Sequence, residues 1–175
     1  MTDGRAAARP LPDRHAARTN CPCAERRALS GPSGRGKRRA MMTLSEMAVD
    51  VLTTADGRQK TTKSRAYAAE WFAARAAGTP IAIGRAEPPL RPSRPDRPEL
   101  LDPRDVPKRK PGSPKGRIAL LHAVAHIELN AVDLHWDIIP RFADTPMPTG
   151  FYDDWVKAAD EESKHFNLMC DCLEE

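Results

Sequence analysis

Three side chains in the C-terminal third of the sequence, Glu128, Glu162 and His165, are of types that could bind a metal ion. Glu162 and His165 form a Glu-x-x-His motif, and this i, i+3 spacing places both side chains on one face of a helix. A glutamate from a neighbouring helix adds a third ligand, which gives half of a carboxylate-bridged di-metal site. Oxygen-rich ligands with one imidazole suit iron or manganese. We therefore predict these three residues as metal ligands.

Both glutamates interrupt the apolar stripes of amphipathic helices. On a helical wheel of about 100° per residue, Glu128 falls at the centre of one apolar face and Glu162 at the centre of another. An ionised carboxylate is very costly to bury without a partner, so two such glutamates require an explanation. The first face consists of Leu121, Val124, Ala125, Ala131, Val132, Ile139 and Phe142, and the second of Phe151, Trp155, Ala158, Ala159, Phe166, Met169 and Leu173.

Local signals place these residues on two long helices joined by a short loop. Ser113 and Pro114 are typical of the N-cap and the first position of a helix. This helix should extend at least to Ile139, and Pro140 ends or kinks it. Thr149 is predicted as the N-cap of the last helix. The short loop favours antiparallel packing of the two helices.

The rise of a helix predicts that the three side chains meet. Glu128 lies about 21 Å before the turn of the hairpin, and Glu162 and His165 lie about 18 and 23 Å after it, at 1.5 Å per residue. A metal-free alternative is a buried ion pair or hydrogen bond between Glu128 and His165. His135 lies about 10 Å from Glu128 along the helix axis, so we predict it not as a ligand but as a core histidine or as one that supports the ligands from outside.

Composition divides the sequence into four regions. Residues 1–41 are a basic head without apolar periodicity, predicted as a disordered arm or a mis-assigned start of translation. Residues 42–87 contain the N-terminal helices. Residues 88–114 are a proline-rich strap, which is either an inert linker or a PxxP segment that binds a partner. Residues 115–175 contain the helix pair that carries the candidate ligands.

Two shorter helices are predicted before the strap. The first, over about residues 44–54, follows Thr43 and Glu46, whose spacing is typical of a capping box. The Asp56–Gly57 pair ends it. The second is predicted over about residues 63–77, where Tyr67, Trp71 and Phe72 would anchor it. No stretch has the alternating pattern of a strand, so the fold class is all-α.

The positive charge of the sequence belongs to the head. Residues 1–40 contain ten Lys or Arg and three Asp or Glu, so the rest of the chain carries a net charge of −3 within a total of +4. The basic isoelectric point is therefore poor evidence for nucleic-acid binding by the folded part. No apolar run approaches the ~20 residues of a membrane span, and no apolar segment of a secretory signal follows the first arginines. We therefore expect a cytoplasmic protein.

Four stretches resemble the bacterial ferritin-like family known as domain of unknown function 455. They are Val-Pro-Lys-Arg-Lys-Pro-Gly-Ser-Pro (106–114), Leu-Leu-His-Ala-Val-Ala-His-Ile-Glu-Leu-Asn-Ala-Val-Asp-Leu (120–134), Phe-Tyr-Asp-Asp-Trp (151–155) and Asp-Glu-Glu-Ser-Lys-His-Phe (160–166). The resemblance covers about residues 42–175. The ligand pattern of the family is similar to that of the tRNA hydroxylase MiaE.

This resemblance implies a ferritin-like bundle in which Glu128, Glu162 and His165 are the iron or manganese ligands of the first helix pair. Family members continue with a second pair that carries another Glu and another Glu-x-x-His, and this sequence lacks it. We therefore expect either a homo-oligomer or a missing C-terminal half. A complete site would support O₂-dependent oxidase or hydroxylase chemistry, or ferroxidase chemistry.

The alternative function is that of a metal-free helical interaction module without catalytic activity. Nucleic-acid binding is expected only through the basic head, or on the analogy with the tRNA hydroxylase.

Overall fold

Four helices and no strand form in the part of the chain that the computed structural model describes, residues 41–97, 102, 104–105, 110 and 112–175. In chain order these are α1 (Leu44–Leu52), α2 (Gly57–Ala76), α3 (Pro114–Arg141) and α4 (Thr149–Glu174). The prediction of an all-α fold is confirmed. The predicted head, residues 1–41, lies outside the described residues except for Met41 and stays a prediction.

Side-chain caps fix the starts of α1 and α2. The Thr43 hydroxyl accepts the N–H of Glu46 at 3.3 Å, and the Glu46 carboxylate accepts the N–H of Thr43 at 2.8 Å, so the predicted capping box is confirmed. Asp56 caps α2 by accepting the N–H of Gln59 at 2.7 Å. The helix therefore begins at Gly57, and the later start predicted for it is wrong. Asp56 follows the end of one helix and caps the next.

The ends of the two long helices follow the sequence signals at Ser113 and depart from them at Pro140 and Thr149. Ser113 caps α3 as predicted, because its hydroxyl accepts the N–H of Gly116 at 3.0 Å. The helix continues through Pro140, which lies in its last turn. Thr149 is the first helical residue of α4 and not its N-cap, because the extended backbone of Pro148 already takes the N-cap position.

The helices form two layers around one main core. α3 and α4 pack along each other, while α1 lies mainly against α3 and α2 mainly against α4. The two short helices therefore cover one side of the long hairpin. No helix in the described part of the chain is both long and apolar enough to cross a membrane. The buried core contains Leu44, Met47, Val51, Leu52, Tyr67, Trp71, Ile81, Val132, Trp136, Ile139, Tyr152 and Val156.

A buried charge cluster ties the strap to the helices. Lys60 of α2 is fully buried, and its ammonium group pairs with the buried carboxylate of Asp133 on α3. The same ammonium donates to the carbonyl of Ser93 at 2.9 Å, and the Ser93 N–H donates to the carbonyl of Leu52 at 2.7 Å. Arg94 adds a second ion pair to Asp133 at 3.3 Å. This part of the strap is therefore anchored within its own chain.

Candidate metal centre

The structure brings Glu128, Glu162 and His165 together across the interface of α3 and α4. Each residue offers one ligand atom, and these atoms lie within 4.8 Å of one another. The Nδ1 atom of His165 lies 3.0 Å from Oε2 of Glu162 and 3.7 Å from Oε2 of Glu128. The antiparallel hairpin thus places the three predicted ligands at one level, as the rise per residue requires.

The two carboxylates lie at the edge of the buried surface and not at its centre. Their side chains keep 20% (Glu128) and 25% (Glu162) of their surface exposed, and His165 keeps 55%. The buried arc of α3 instead runs through Leu129, Val132 and Trp136. The expectation of central burial is wrong because α1 and α2 pack on one side only, which rotates the buried arc of each long helix towards them.

The side chains of Glu128 and Glu162 interact across the hairpin, and this interaction shifts the pKa of each in an opposite direction. A hydrogen bond with Glu162, together with partial burial, raises the pKa of Glu128 above the ordinary value. The same hydrogen bond, with help from His165, lowers the pKa of Glu162. Glu128 therefore keeps its proton to a higher pH than Glu162 does. Two carboxylates this close repel each other unless a proton or another cation lies between them.

His165 favours its protonated form in this cluster. Its hydrogen bond to Glu162 raises the pKa of the imidazole above the usual histidine value, and burial acts in the opposite direction. The imidazole faces solvent on its other side, because more than half of the side chain is exposed. A metal ion that bound here would compete with protons for Glu128 and His165.

His135 lies close to the centre but does not join the cluster of three ligands. Its ring packs against Trp155, with 5.3 Å between ring centroids. Its Nδ1 atom is buried and has no hydrogen-bond partner among the described residues. Burial lowers the pKa of His135, while the charge of Glu162 acts in the opposite direction. The prediction of a packed histidine outside the ligand cluster agrees with this position.

A small apolar cluster supports the ligands from the core side. It consists of Ala125, Leu129, Phe166 and Cys170. Phe166 follows His165 directly in α4, and its ring packs on the N-terminus of α2. A Cβ atom on Gly57 would lie only 2.7 Å from Phe166 Cζ, so this close approach requires glycine. The Arg58 side chain holds the same helix end by an ion pair to Asp171 at 2.6 Å.

Sequence reasoning missed the buried Lys60–Asp133 pair. The signal was present, because Lys60 precedes Ser64, Tyr67 and Trp71 at the spacing of one helix face, and all of them are buried. Burial lowers the pKa of Lys60 and raises the pKa of Asp133. The attraction between the two groups shifts both pKa values in the opposite directions, but burial has the larger effect. The pair links α2 to α3 close to the start of the strap, and it does not contact the three candidate ligands.

The donor set fits a divalent cation. A cation about 2.0–2.2 Å from each ligand atom allows those atoms to lie at most about 4.4 Å apart. The ligand atoms lie within 4.8 Å of one another, which is close to this maximum. A small movement of the exposed His165 side chain would bring its ligand atom within the shorter distance. Two carboxylates and one imidazole are a donor set typical of iron and manganese.

Comparison with known proteins identifies a family but no activity. The family described as "Protein of unknown function (DUF455)" matches residues 53–175. An "Uncharacterized protein" of Haemophilus influenzae is 45% identical over 80 residues, which are 43% of this chain and 28% of that protein. The chain therefore matches less than a third of the length of this curated relative. No solved structure gives a significant match.

Proposed function

We propose that this chain, which belongs to the DUF455 family, binds iron or manganese through Glu128, Glu162 and His165 as half of a ferritin-like di-metal site. One observation carries the proposal. A Glu-x-x-His motif and a glutamate from the neighbouring helix converge with their ligand atoms within 4.8 Å. This is the ligand set that one half of a ferritin-like carboxylate site contributes.

The protonation of the cluster supports the same proposal. The fold holds the two carboxyl groups close together, with ligand atoms within 4.8 Å, although this proximity costs free energy when both are ionised. A divalent cation resolves this conflict better than one proton, because it attracts both carboxylates and the neutral imidazole of His165.

When bound in a complete site, the metal would supply O₂-dependent oxidase or hydroxylase chemistry, or ferroxidase chemistry. The residues of this chain have simpler roles. Glu128 and Glu162 would hold the ion through their carboxylates, for which Glu128 must be deprotonated. His165 would hold it through a ring nitrogen. Leu129 and Phe166 exclude water from the core side of the ligands.

The second candidate function is a metal-free helical interaction module. It is favoured by the contacts of the His165 imidazole with the carboxylates of Glu162 and Glu128, which form without an ion. In that case the cluster is an interhelical hydrogen-bond network that fixes the register of α3 against α4, and the protein acts through its surfaces alone.

Metal content distinguishes the two functions. The full chain, purified without chelator and reloaded with ferrous iron under anaerobic conditions, should bind about one ion per helix hairpin. Glu162→Gln should reduce bound iron to background. Glu161→Gln is the matched control, since this neighbouring glutamate forms an ion pair with Lys157 at 4.0 Å and is not one of the three clustered ligands. Equal iron contents in the two variants would support the metal-free function.

A further inference from the structure

The imidazole of His135 contains a buried polar atom that the packing of the helices does not explain. The ring is half-buried and packs against Trp155, with 5.3 Å between ring centroids. Its Nδ1 atom is buried and forms no hydrogen bond within the described part of the chain. Burying a polar atom without a partner destabilises a fold, so such atoms are rare and require an explanation.

His135 and Trp155 lie on the ligand side of the α3–α4 hairpin. Seven residues separate His135 from Glu128, and seven separate Trp155 from Glu162. At about 100° per residue, seven residues are nearly two full turns, so each ring lies within about 20° of a ligand glutamate on its own helix. The two rings therefore form the next layer of the helix interface, between the ligands and the hairpin turn.

Helix geometry brings His135 closer to Glu162 than to Glu128. Measured from the hairpin turn at 1.5 Å per residue, His135 lies at about 11 Å and Glu162 at about 18 Å. Side chains of a helix lean towards its N-terminus. Because α3 and α4 run in opposite directions, the side chains of His135 and Glu162 lean towards each other, whereas Glu128 leans away from His135.

The two groups also act on each other electrostatically. Burial lowers the pKa of His135, and the charge of Glu162 acts in the opposite direction. In addition to the larger effect of the hydrogen bond with Glu128, His135 lowers the pKa of Glu162. One turn from the ligands, between the two groups, lie Ala131 and Ala158. Their side chains end at Cβ, so they leave space for a contact between the imidazole and the carboxylate.

Metal binding would change the hydrogen bonds that Glu162 requires. In the metal-free fold, Oε2 of Glu162 lies 3.0 Å from Nδ1 of His165. If both residues hold an ion, this hydrogen bond is lost. Carboxylates that bind a metal are themselves held by hydrogen bonds, which fix their orientation. A neutral imidazole has one N–H to donate, and Nδ1 of His135 has no other partner among the described residues.

We infer that His135 is a positioning residue of the proposed metal centre, and that its Nδ1–H donates a hydrogen bond to the Glu162 carboxylate when Glu162 holds an ion. The inference rests on the proposed function, because it needs an ion on Glu162. Of the two roles that the sequence predicts for His135, it is the support of the ligands from outside. The role differs from that of His165, which would hold the ion itself.

Two substitutions of similar shape separate this role from simple packing. His135→Asn keeps an N–H donor near the position of Nδ1, whereas His135→Leu has the same branching without a donor. In isothermal titration of the full chain with Mn(II), His135→Leu should bind at least about tenfold more weakly than the wild type. His135→Asn should remain within about threefold of the wild type.

The stability of the metal-free protein should not follow the same order. His135→Leu removes a buried nitrogen that has no partner among the described residues, so its urea midpoint should equal or exceed that of the wild type. A residue that acts only through packing would not combine equal or higher stability with weaker metal binding.

His126→Leu is the matched control, because it makes the same change on the same helix. Burial and the charge of Arg94 lower the pKa of His126, so this histidine lies beside the strap. At about 100° per residue, it is on nearly the opposite side of α3 from Glu128. Its affinity for Mn(II) should equal that of the wild type.

Each outcome supports or overturns the inference. Equal Mn(II) affinities of His135→Leu and the wild type, with binding lost in Glu162→Gln, overturn the inference and leave the proposed function intact. Equal losses in His135→Leu and His135→Asn also overturn it, because they indicate packing. A wild type that binds no Mn(II) overturns both proposals.

A measurement on the wild type decides the matter if His135→Leu does not fold by circular dichroism. Zn(II) is diamagnetic and allows nuclear magnetic resonance of the bound state. In the protein with Zn(II) bound, the Nδ1 resonance of His135 should shift, and its N–H should exchange more slowly with water. An unchanged Nδ1 resonance in that state overturns the inference.

Discussion

The Nδ1 atom of His165 lies 3.7 Å from Oε2 of Glu128, across the interface of two helices and 37 residues away along the chain. Within its own helix the same nitrogen lies 3.0 Å from Glu162. One imidazole thus contacts a carboxylate from each side of the hairpin. The arrangement holds together without an ion, yet it presents ligand atoms at nearly the separation that a divalent cation needs.

Glu128 should contribute less to the stability of the metal-free protein as the pH rises. The pKa of Glu128 is raised in the fold, so its contribution is fully present below the ordinary value of 4.5 and is lost as the pH rises through the raised value. His126 and His135 act with the opposite sign, because burial lowers their pKa values, so the test is a comparison of two proteins in which both are unchanged. In urea unfolding of chelator-treated protein, the wild type should lose more stability between about pH 5 and about pH 8, relative to Glu128→Gln. The same pH dependence in both proteins would contradict the raised pKa of Glu128.

Metal should reverse this pH dependence. Binding requires that Glu128 and His165 release their protons, so the affinity for Fe(II) or Mn(II) should increase with pH. The rise in melting temperature on adding Mn(II) should therefore be larger at about pH 8 than at about pH 5.5. Isothermal titration in buffers of different ionisation enthalpy should detect released protons. Binding without proton release would indicate that the metal lies elsewhere.

Gly57→Ala should weaken the support of the site. The new Cβ would lie 2.7 Å from the buried ring of Phe166, so the ring or the start of α2 must move. Overpacking of this kind costs about 1–3 kcal/mol. Gly150→Ala is the matched control, because a Cβ there meets no atom within 4 Å. Denaturant unfolding of both variants measures the difference. Equal free energies of unfolding of the two variants would mean that the Phe166 ring can move aside without destabilising the fold.

Lys60→Met should be the most destabilising of these substitutions. It leaves the buried Asp133 carboxylate with Arg94 alone, and breaking a buried ion pair costs about 3–5 kcal/mol. Lys63→Met is the control, because it removes the ion pair to Asp50, in which the side chains are 39% and 34% exposed. This change should alter the stability by less than about 1 kcal/mol. Similar losses in the two variants would contradict the account of the strap anchor.

Local signals predicted the parts of the fold that depend on neighbouring residues. Thr43 and Glu46 cap α1 as expected, and Ser113 begins α3. The contact between the side chains of Glu128 and His165 could also be predicted from the sequence, because it depends only on the rise per residue and on a short loop between the helices. These features do not depend on where the other helices pack.

The remaining features depend on tertiary contacts. Position 57 must be a glycine because the ring of Phe166 leaves no room for a Cβ atom there, and no residue near Gly57 in the sequence indicates this contact. Likewise, α3 has apolar residues on both sides of Glu128, so its periodicity does not tell which side is buried. The packing of α1 and α2 decides that, and it leaves Ile127 and Leu134 exposed.

The most direct test of the central claim is the position of the metal itself. Crystals of the full chain grown with Mn(II) should give an anomalous diffraction peak between Glu128, Glu162 and His165, about 2.0–2.2 Å from two carboxylate oxygens and one imidazole nitrogen. A structure under the same conditions that keeps the 3.0 Å hydrogen bond between His165 and Glu162, with the manganese elsewhere or absent, would contradict the claim.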